Sequence, residues 1–290
     1  MYTTLQPDVF KIIVKTLERF ELKYYKEWRV TKIPLVDQLL MTLIKLKLNV
    51  PNMDLAIRFG ISETTVHNIF YTLVCALHEL LYVGCITIPS QAKCKGSLPL
   101  AFEDFGSARL VIDATELTLD IPSDITKQAA FYSSYKSRHT VKSVTGVAPN
   151  AALVYASDLY PGSTSDVKII EHCGLLQHLH PGDLILADKV FTIHSQLPEG
   201  VSLNIPPFLS GKSQFTPEEA ALCRKIARAR IHVERANERI KNFKILDHIS
   251  NKYRSISSKL FQVCCALTNL QAPLIKEISD NYQFNFQDNN

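Results

Sequence analysis

The sequence predicts an all-α region followed by an α/β region in which helices flank a mixed sheet. Three observations predict this arrangement. Apolar residues recur at helical spacing up to about residue 82, residues 84–106 lose that spacing and gather Pro, Gly and Ser, and short β-rich runs alternate with helical segments from about residue 108. We therefore place a boundary near residue 95, between a first domain, 1–95, and a second domain, 96–280.

The first domain contains a predicted helix-turn-helix at about 35–82. A helix runs from about residue 36 to 47, and a short second helix follows Pro51. Gly60 then suits a turn with positive φ, and Ser62 is a good N-cap for a third helix. A short helix, a glycine turn and a capped helix are the pattern of a helix-turn-helix.

The second helix of such a motif presents its N-terminal residues to the major groove of DNA. The polar residues at these positions are Thr64, Thr65, His67 and Asn68. An ordinary helical hairpin is the alternative, because this helix begins with Glu63 and contains no arginine.

The second domain begins with a β-rich run, ARLVIDATELTLDI, and continues with two strands about a turn at 149–150. A helix capped by Ser165, a uniformly apolar strand in DLILADKVF, a strand in VSLNI and a long helix from Thr216 follow. This order implies a mixed sheet with helices packed on it. Residues 281–290 offer nothing to bury, and we predict that they are disordered.

Composition excludes several classes of protein. The 290 residues carry a net charge of only +4, so a nucleic-acid partner must be argued from local clusters of charge. Seven scattered cysteines without CxxC spacing argue for a reducing compartment and against a zinc module or a disulfide framework. The N-terminus mixes charged with apolar residues, which predicts neither a signal peptide nor a membrane partner.

Two aspartates interrupt apolar strands, Asp113 in LVIDATE and Asp188 in LILADKVF. A carboxylate beside buried strands needs hydrogen-bond partners or a cation. If the two strands are neighbours, both side chains converge at one edge of the sheet. For each aspartate alone, a capping or turn role is the alternative. Asp166 is a candidate accessory acid, although its place beside Ser165 favours a role at the helix start.

A third acid, Glu234, lies in the basic segment RKIARARIHVERANERIKNFK. At about 100° per residue it falls on the edge of the apolar face, near Arg230 and Asn237. A simple i,i+4 pair with Arg230 is the alternative. Three carboxylates gathered together would repel one another unless Mg²⁺ or Mn²⁺ neutralised them, which is the ligand set of a two-metal phosphoryl-transfer site. Arg230, beside Glu234, is also a candidate DNA contact that would face a phosphate. Arg235 belongs to a separate basic stripe that suits flanking DNA or solvent.

Aromatic and cationic residues alternate in YSSYKSRHTVK. Its candidate DNA contacts are Tyr135, Lys136, Arg138 and Lys142, because such a mixture suits phosphate contacts and base stacking. An exposed polar loop is the alternative.

Together these motifs carry a resemblance to a known family. The segments VIDATELTLDIPSD, YSSYKSRHTVKSVTGVAPN, YPGSTSDVKI, PGDLILADKVF, PPFLSGKSQFTPEEA and RKIARARIHVERANERIK, with the helical segment before them, span residues 34–250. The chain resembles the DDE-type transposase-derived endonuclease family, in the branch related to Harbinger-like and insertion-sequence transposases that is often associated with THAP domains.

The resemblance implies an RNase H-like catalytic domain after the helix-turn-helix, with Asp113, Asp188 and Glu234 as catalytic acids and ligands of two Mg²⁺ or Mn²⁺ ions. It also implies DNA as partner, no small-molecule cofactor, and location in the nucleus, with the cytoplasm as a second location. Whether the chain associates into a homo-oligomer is left open.

The chain departs from the family pattern at two points. The family usually has glycine where this chain has Val190, and no Cys/His set for a THAP-type zinc module precedes residue 34. If that glycine is needed for close approach or positive φ, valine would distort the site. The alternative is a domesticated, catalytically weakened factor that binds DNA or recruits proteins.

Overall fold

The computed structural model describes residues 2–209, 211–212 and 214–275. The chain forms two compact units. Unit 1 consists of Met1–Ile86, Leu117–Ser123 and Arg239–Gln271, and unit 2 consists of Thr87–Glu116, Asp124–Glu238 and Ala272–Asn290. The predicted boundary near residue 95 stays a prediction, and the predicted disordered tail, 281–290, lies outside the described residues.

The helices and strands within the described ranges have the following bounds. The α-helices are α1 Pro7–Leu17, α2 Leu35–Leu48, α3 Asn52–Phe59, α4 Glu63–Leu77, α5 Gln91–Lys95, α6 Ile125–Phe131, α7 Asp166–His172, α8 Pro217–Lys241 and α9 Ser257–Asn269. The strands are β1 Ala108–Thr118, β2 Tyr132–Ser133, β3 Arg138–Val147, β4 Leu153–Ala156, β5 Tyr160–Pro161, β6 Leu184–Leu186 and β7 Ser202–Asn204.

Helices α2, α3, α4 and α9 belong to unit 1, and the first three confirm the predicted all-α region. Gly60 ends α3 in the left-handed region, at φ 64°, which a side chain would disfavour. Ser62 caps α4, and its hydroxyl accepts a hydrogen bond from the Thr65 backbone N–H. These two residues set the turn of the helix-turn-helix.

Helix α4 forms the centre of unit 1. Its apolar side chains Val66, Ile69, Phe70 and Leu73 are buried, as their spacing predicts. The helix continues through a π-helical turn at His78–Val83. By length and composition alone, residues Glu63–Val83 are able to cross a membrane, but 56% of the apolar 18-residue window within this segment is buried inside the protein. Packing within unit 1 therefore accounts for its apolar character.

Unit 2 is built on a mixed sheet with the strand order β2-β3-β1-β6-β7, and β4 and β5 also pair with β3. Strand β6 runs parallel to both β1 and β7, whereas β4 is antiparallel to β3. A core of buried apolar residues includes Leu110, Ile112, Ile169, Ile185 and Phe191. The mixed sheet with helices confirms the predicted α/β class and is consistent with an RNase H-like fold.

Helix α8 carries the predicted apolar stripe for most of its length. The residues of this stripe that are fully buried are Ile226, Ala229, Val233, Ala236 and Ile240. Leu222 was expected on the same stripe, but its side chain is exposed. The prediction was wrong at Leu222 because helical periodicity gives the direction of a side chain and not the point along the helix where packing begins.

Candidate active site and nucleic-acid contacts

Asp113 and Asp188 lie on neighbouring parallel strands. Strand β1 pairs with β6 in a register that places Val111 beside Leu186. Two residues further along each strand direction, Asp113 is still within β1 and Asp188 has just left β6. Parallel strands end at the same edge of a sheet, so the register brings the two aspartates to one place. The adjacency on which the sequence argument depended is present.

Glu234 reaches the same place from α8. Its side chain is 56% exposed, while the neighbouring Val233 is fully buried, so Glu234 marks the edge of the packed face of the helix. Arg230, one turn earlier, is buried and lies between acids. Its guanidinium is 3.5 Å from Asp188 Oδ1 and 3.8 Å from Glu234 Oε1. Arg230 therefore links Asp188 to Glu234.

The side chain of Arg230 is incompletely satisfied. Its Nε–H is buried and has no hydrogen-bond partner within the described part of the chain. Because an orphaned buried donor costs about 1–3 kcal/mol, its burial needs a compensating gain. The attraction of the guanidinium to several carboxylates supplies this gain. Arg230 was predicted as a DNA contact, and the structure places it among the candidate catalytic acids.

Asp113 is held by an amide from α8. Asn237 Nδ2 donates to Asp113 Oδ2 at 3.0 Å, and Thr145 Oγ1 in β3 donates to Asn237 Oδ1 at 2.8 Å. Burial raises the pKa of Asp113, and the positive charge of Arg230 and the Asn237 hydrogen bond offset this only in part. The site thus holds a largely desolvated carboxyl group in a defined orientation.

Thr145 was missed by sequence reasoning. It is a fully buried hydroxyl near the end of β3, the strand beside β1. A polar residue inside the otherwise apolar run VTGV is a usable signal, because a buried hydroxyl needs a partner. The partner itself is 92 residues away in the chain and is not readable from local pattern.

The donor chemistry of Asp113, Asp188 and Glu234 fits a divalent cation. All three offer carboxylate oxygens, which Mg²⁺ and Mn²⁺ prefer, and they already surround one positive group, Arg230. Within residues 2–209, 211–212 and 214–275, no three His, Cys, Asp or Glu side chains are close enough together to form a ready metal site. Ions would have to compete with Arg230 for Asp188 and Glu234.

Val190 fits its backbone without strain. Phe191 N donates to Asp188 O at 3.0 Å, and Thr192 N donates to Val190 O at 3.0 Å, so the segment after Asp188 is a tight turn. Val190 is not among the described residues with positive φ, and its side chain is 51% exposed. Neither positive φ nor close packing at this position requires glycine.

Asp166 forms a separate pair. Lys142 Nζ is 3.5 Å from Asp166 Oδ1 and also donates to Thr164 O at 3.3 Å. Asp166 is the first residue of α7, which Ser165 caps. Among the described residues, no cationic side chain forms an ion pair both with Asp166 and with one of the three acids. The arrangement gives Asp166 a role at a helix start and gives Lys142 an internal partner.

The other predicted DNA contacts of unit 2 lie on its surface. Tyr135 is 84% exposed, and Lys136 Nζ lies 4.8 Å from the centre of its ring. Arg138 is exposed and donates through Nε to the Lys136 carbonyl, while Arg235 is exposed on α8. These residues are accessible to a nucleic-acid backbone.

Two of the predicted contacts in the helix-turn-helix point into unit 1. Thr65 and Asn68 are buried, and Asn68 Nδ2 donates to the backbone carbonyl of Trp28. A base edge cannot reach either side chain, so the prediction of DNA contact was wrong for these two. Spacing within α4 could not reveal this for Asn68, because its partner Trp28 lies 40 residues earlier. Thr64 is exposed, and His67 is half-buried.

Comparison with known proteins identifies the family to which the chain belongs. A family model described as DDE superfamily endonuclease matches residues 112–269, and a model described as helix-turn-helix of DDE superfamily endonuclease matches residues 31–82. No curated protein matches the chain. The first match covers more than half of the 290 residues and contains all three candidate acids. The chain therefore belongs to the DDE superfamily of transposase-derived endonucleases.

Proposed function

We propose that this chain cleaves or transfers phosphodiester bonds of DNA at a two-metal site formed by Asp113, Asp188 and Glu234. The single observation that carries the proposal is the register of β1 and β6, which sets Asp113 beside Asp188 while Arg230 ties Asp188 to Glu234. Membership in the endonuclease family supports the same chemistry.

Each side chain has a distinct part in this proposal. When bound, Mg²⁺ or Mn²⁺ ions would activate a water or a 3′-hydroxyl and stabilise the leaving oxygen. The three carboxylates would hold the ions. Asn237 fixes the rotation of Asp113, and Arg230 offsets the repulsion between Asp188 and Glu234.

DNA is the proposed partner and the nucleus the proposed location. The exposed group at Tyr135, Lys136 and Arg138 offers aromatic and cationic side chains that suit a nucleic-acid strand. Imaging of a fluorescently tagged chain tests the location, and exclusion from the nucleus would contradict it.

The test of cleavage uses supercoiled plasmid DNA with Mg²⁺ or Mn²⁺. Wild type is expected to nick or linearise the plasmid, and Asp188→Asn and Glu234→Gln are each expected to abolish this. Glu238→Gln is the matched control, because Glu238 is an exposed glutamate on the same helix one turn later. Cleavage that survives Glu234→Gln, or that is equally lost in Glu238→Gln, would refute the assignment.

The domesticated factor without catalysis is the second reading. It rested on Val190, and the strain-free backbone and exposed side chain at this position give it no support. A wild-type chain that binds DNA but does not cleave the plasmid with either Mg²⁺ or Mn²⁺ would restore it.

A further inference from the structure

A group of aromatic rings surrounds His67 on unit 1. The His67 ring lies 5.5 Å from Tyr25 in an edge-on contact, 6.2 Å from Tyr71, and 6.2 Å from Tyr253 in a stacked contact. Tyr25 and Tyr71 are themselves 4.2 Å apart. Three segments of the chain thus meet at one half-buried histidine on the helix-turn-helix.

Two exposed lysines flank this group. Lys26 Nζ lies 5.6 Å from the centre of the Tyr25 ring, and Lys252 Nζ lies 5.0 Å from the centre of the Tyr253 ring. Contacts of this kind hold an ammonium group over a ring face at a small energetic gain and leave its N–H groups free to donate. We call Tyr25, Lys26, His67, Tyr71, Lys252 and Tyr253 the His67 patch.

The positive charges of the His67 patch lack a counter-charge. Across the described residues, neither Lys26 nor Lys252 has a carboxylate within salt-bridge distance, whereas six other lysines do. Burial lowers the pKa of His67, and the charges of Lys252 and Lys26 lower it further. Mutual repulsion of unbalanced cations is relieved by an anionic ligand.

The backbone holds Lys26 in an unusual conformation. Lys26 and the next residue, Glu27, both have positive φ, at 54° and 58°. Such residues cost about 1–3 kcal/mol each and persist only where surrounding contacts require them. The Tyr25 N–H donates to Thr72 Oγ1 at 2.9 Å, which anchors this turn to α4. The turn therefore presents Lys26 beside the recognition helix at an energetic cost.

We propose that the His67 patch binds backbone phosphates of duplex DNA, with Lys26 and Lys252 as the contacting groups. This rests on the proposed function in taking DNA as partner. Tyr25, Lys26, Lys252 and Tyr253 all lie outside the matched helix-turn-helix, residues 31–82, so the motif alone does not assign them. The patch positions the protein on DNA, because phosphate contacts fix register without reading sequence.

The test measures binding of the full chain to a fluorescently labelled random-sequence duplex in EDTA, by anisotropy, between 50 and 200 mM salt. Lys26→Gln and Lys252→Gln are each expected to reduce the salt slope by about 0.9 and the affinity at 0.15 M salt roughly fivefold, uniformly across sequences. Lys15→Gln is the matched control, because Lys15 is an exposed lysine of the same unit and its loss changes net charge equally. Thermal unfolding checks that each variant is folded.

Three outcomes separate the alternatives. Equal slopes for wild type, Lys26→Gln and Lys252→Gln would overturn the proposal, as would an equal loss in Lys15→Gln. The third outcome comes from competition with polyglutamate at matched charge concentration. If polyglutamate displaces DNA from wild type but not from the same two variants, the patch binds an acidic protein segment and the proposal is overturned. Because EDTA removes cleavage from this assay, failure of the patch is distinguishable from failure of the acids.

Discussion

Asn237 on α8 donates a hydrogen bond to the carboxylate of Asp113 on β1, and the amide oxygen of Asn237 accepts one from Thr145 on β3. A helix and two strands are therefore joined through one buried amide. The amide has a donor and an acceptor on opposite sides, so the two bonds together fix its orientation and, with it, the rotation of Asp113. Asn237 is a positioning residue for the proposed catalysis.

Replacing Asn237 by Ala is expected to lower both Mn²⁺ affinity and the cleavage rate by about 10- to 100-fold, the usual cost of losing a group that orients a metal ligand. Titration calorimetry and plasmid cleavage measure the two effects. Thr145→Val, which keeps the Asn237 bond to Asp113, is expected to have a smaller effect on both. Unchanged Mn²⁺ affinity in Asn237→Ala would show that the amide does not position Asp113.

Arg230→Gln is expected to destabilise the metal-free protein. The change leaves Asp188 and Glu234 without the guanidinium that lies near both. Since these acids are 40% and 56% exposed and screened by water, we expect a loss of about 1–2 kcal/mol. That corresponds to a fall in Tm of roughly 4 °C, measured in EDTA.

Arg235→Gln is the control for this change, because Arg235 is exposed on the same helix and carries the same charge. Its effect on the free energy of unfolding is expected to stay within about 0.5 kcal/mol. Equal losses in both variants would mean that Arg230 contributes no more than a surface arginine.

Val190→Gly is expected to leave the cleavage rate within about a factor of two, or about 0.4 kcal/mol of activation free energy. The reason is that the backbone at Val190 already avoids positive φ. The free energy of unfolding is expected to fall by about 0.4–1 kcal/mol, because glycine widens the unfolded ensemble. Activity that appears only in the glycine variant would instead support the domesticated, catalytically weakened reading.

Lys45 is expected to make stability depend on pH. Its ammonium is buried on α2, and burial, with repulsion from Lys252, lowers its pKa from 10.5 to about 8. Between these values the unfolded chain binds more protons than the folded chain, so the free energy of unfolding rises with pH, by at most about 3 kcal/mol. Urea unfolding from pH 7.5 to 10.5 measures this rise.

Lys45→Met is expected to flatten that dependence and to be more stable than wild type at the acid end of the range. Lys47→Met serves as control, because it removes a lysine from the same helix and leaves Lys45 in place. A wild-type stability that is constant across the range would contradict the assignment.

Local pattern predicted much of the fold and of the site. Helix α2 was expected at about 36–47 and spans Leu35–Leu48, and the Gly60 turn and the Ser62 cap were confirmed. The alternation of apolar and polar residues, and the burial that it predicts, can be recognised within one segment. Acids that interrupt apolar strands could therefore be singled out. Their placement together required only that two β-rich runs be parallel neighbours.

Long-range packing could not be predicted from local sequence pattern. Thr65 and Asn68 look exposed on a helical wheel, but the backbone carbonyl of Trp28 accepts a hydrogen bond from Asn68 and helps to bury it. Lys26 and Lys252 are far apart in the chain, and only the ring contacts of Tyr25, His67 and Tyr253 show that they flank one surface. No window of sequence contains these relationships.

Unit 1 combines segments that are far apart in the chain, and this affects the timing of its folding during synthesis. His78, just after α4, shares a hydrogen bond with Gln262 of α9, 184 residues later. At about 5–20 residues per second, the ribosome needs roughly 10–40 s to make that intervening chain. Through this interval the DNA-binding helices have been synthesised but lack the last helix that packs on them, and their apolar side chains remain available to chaperones.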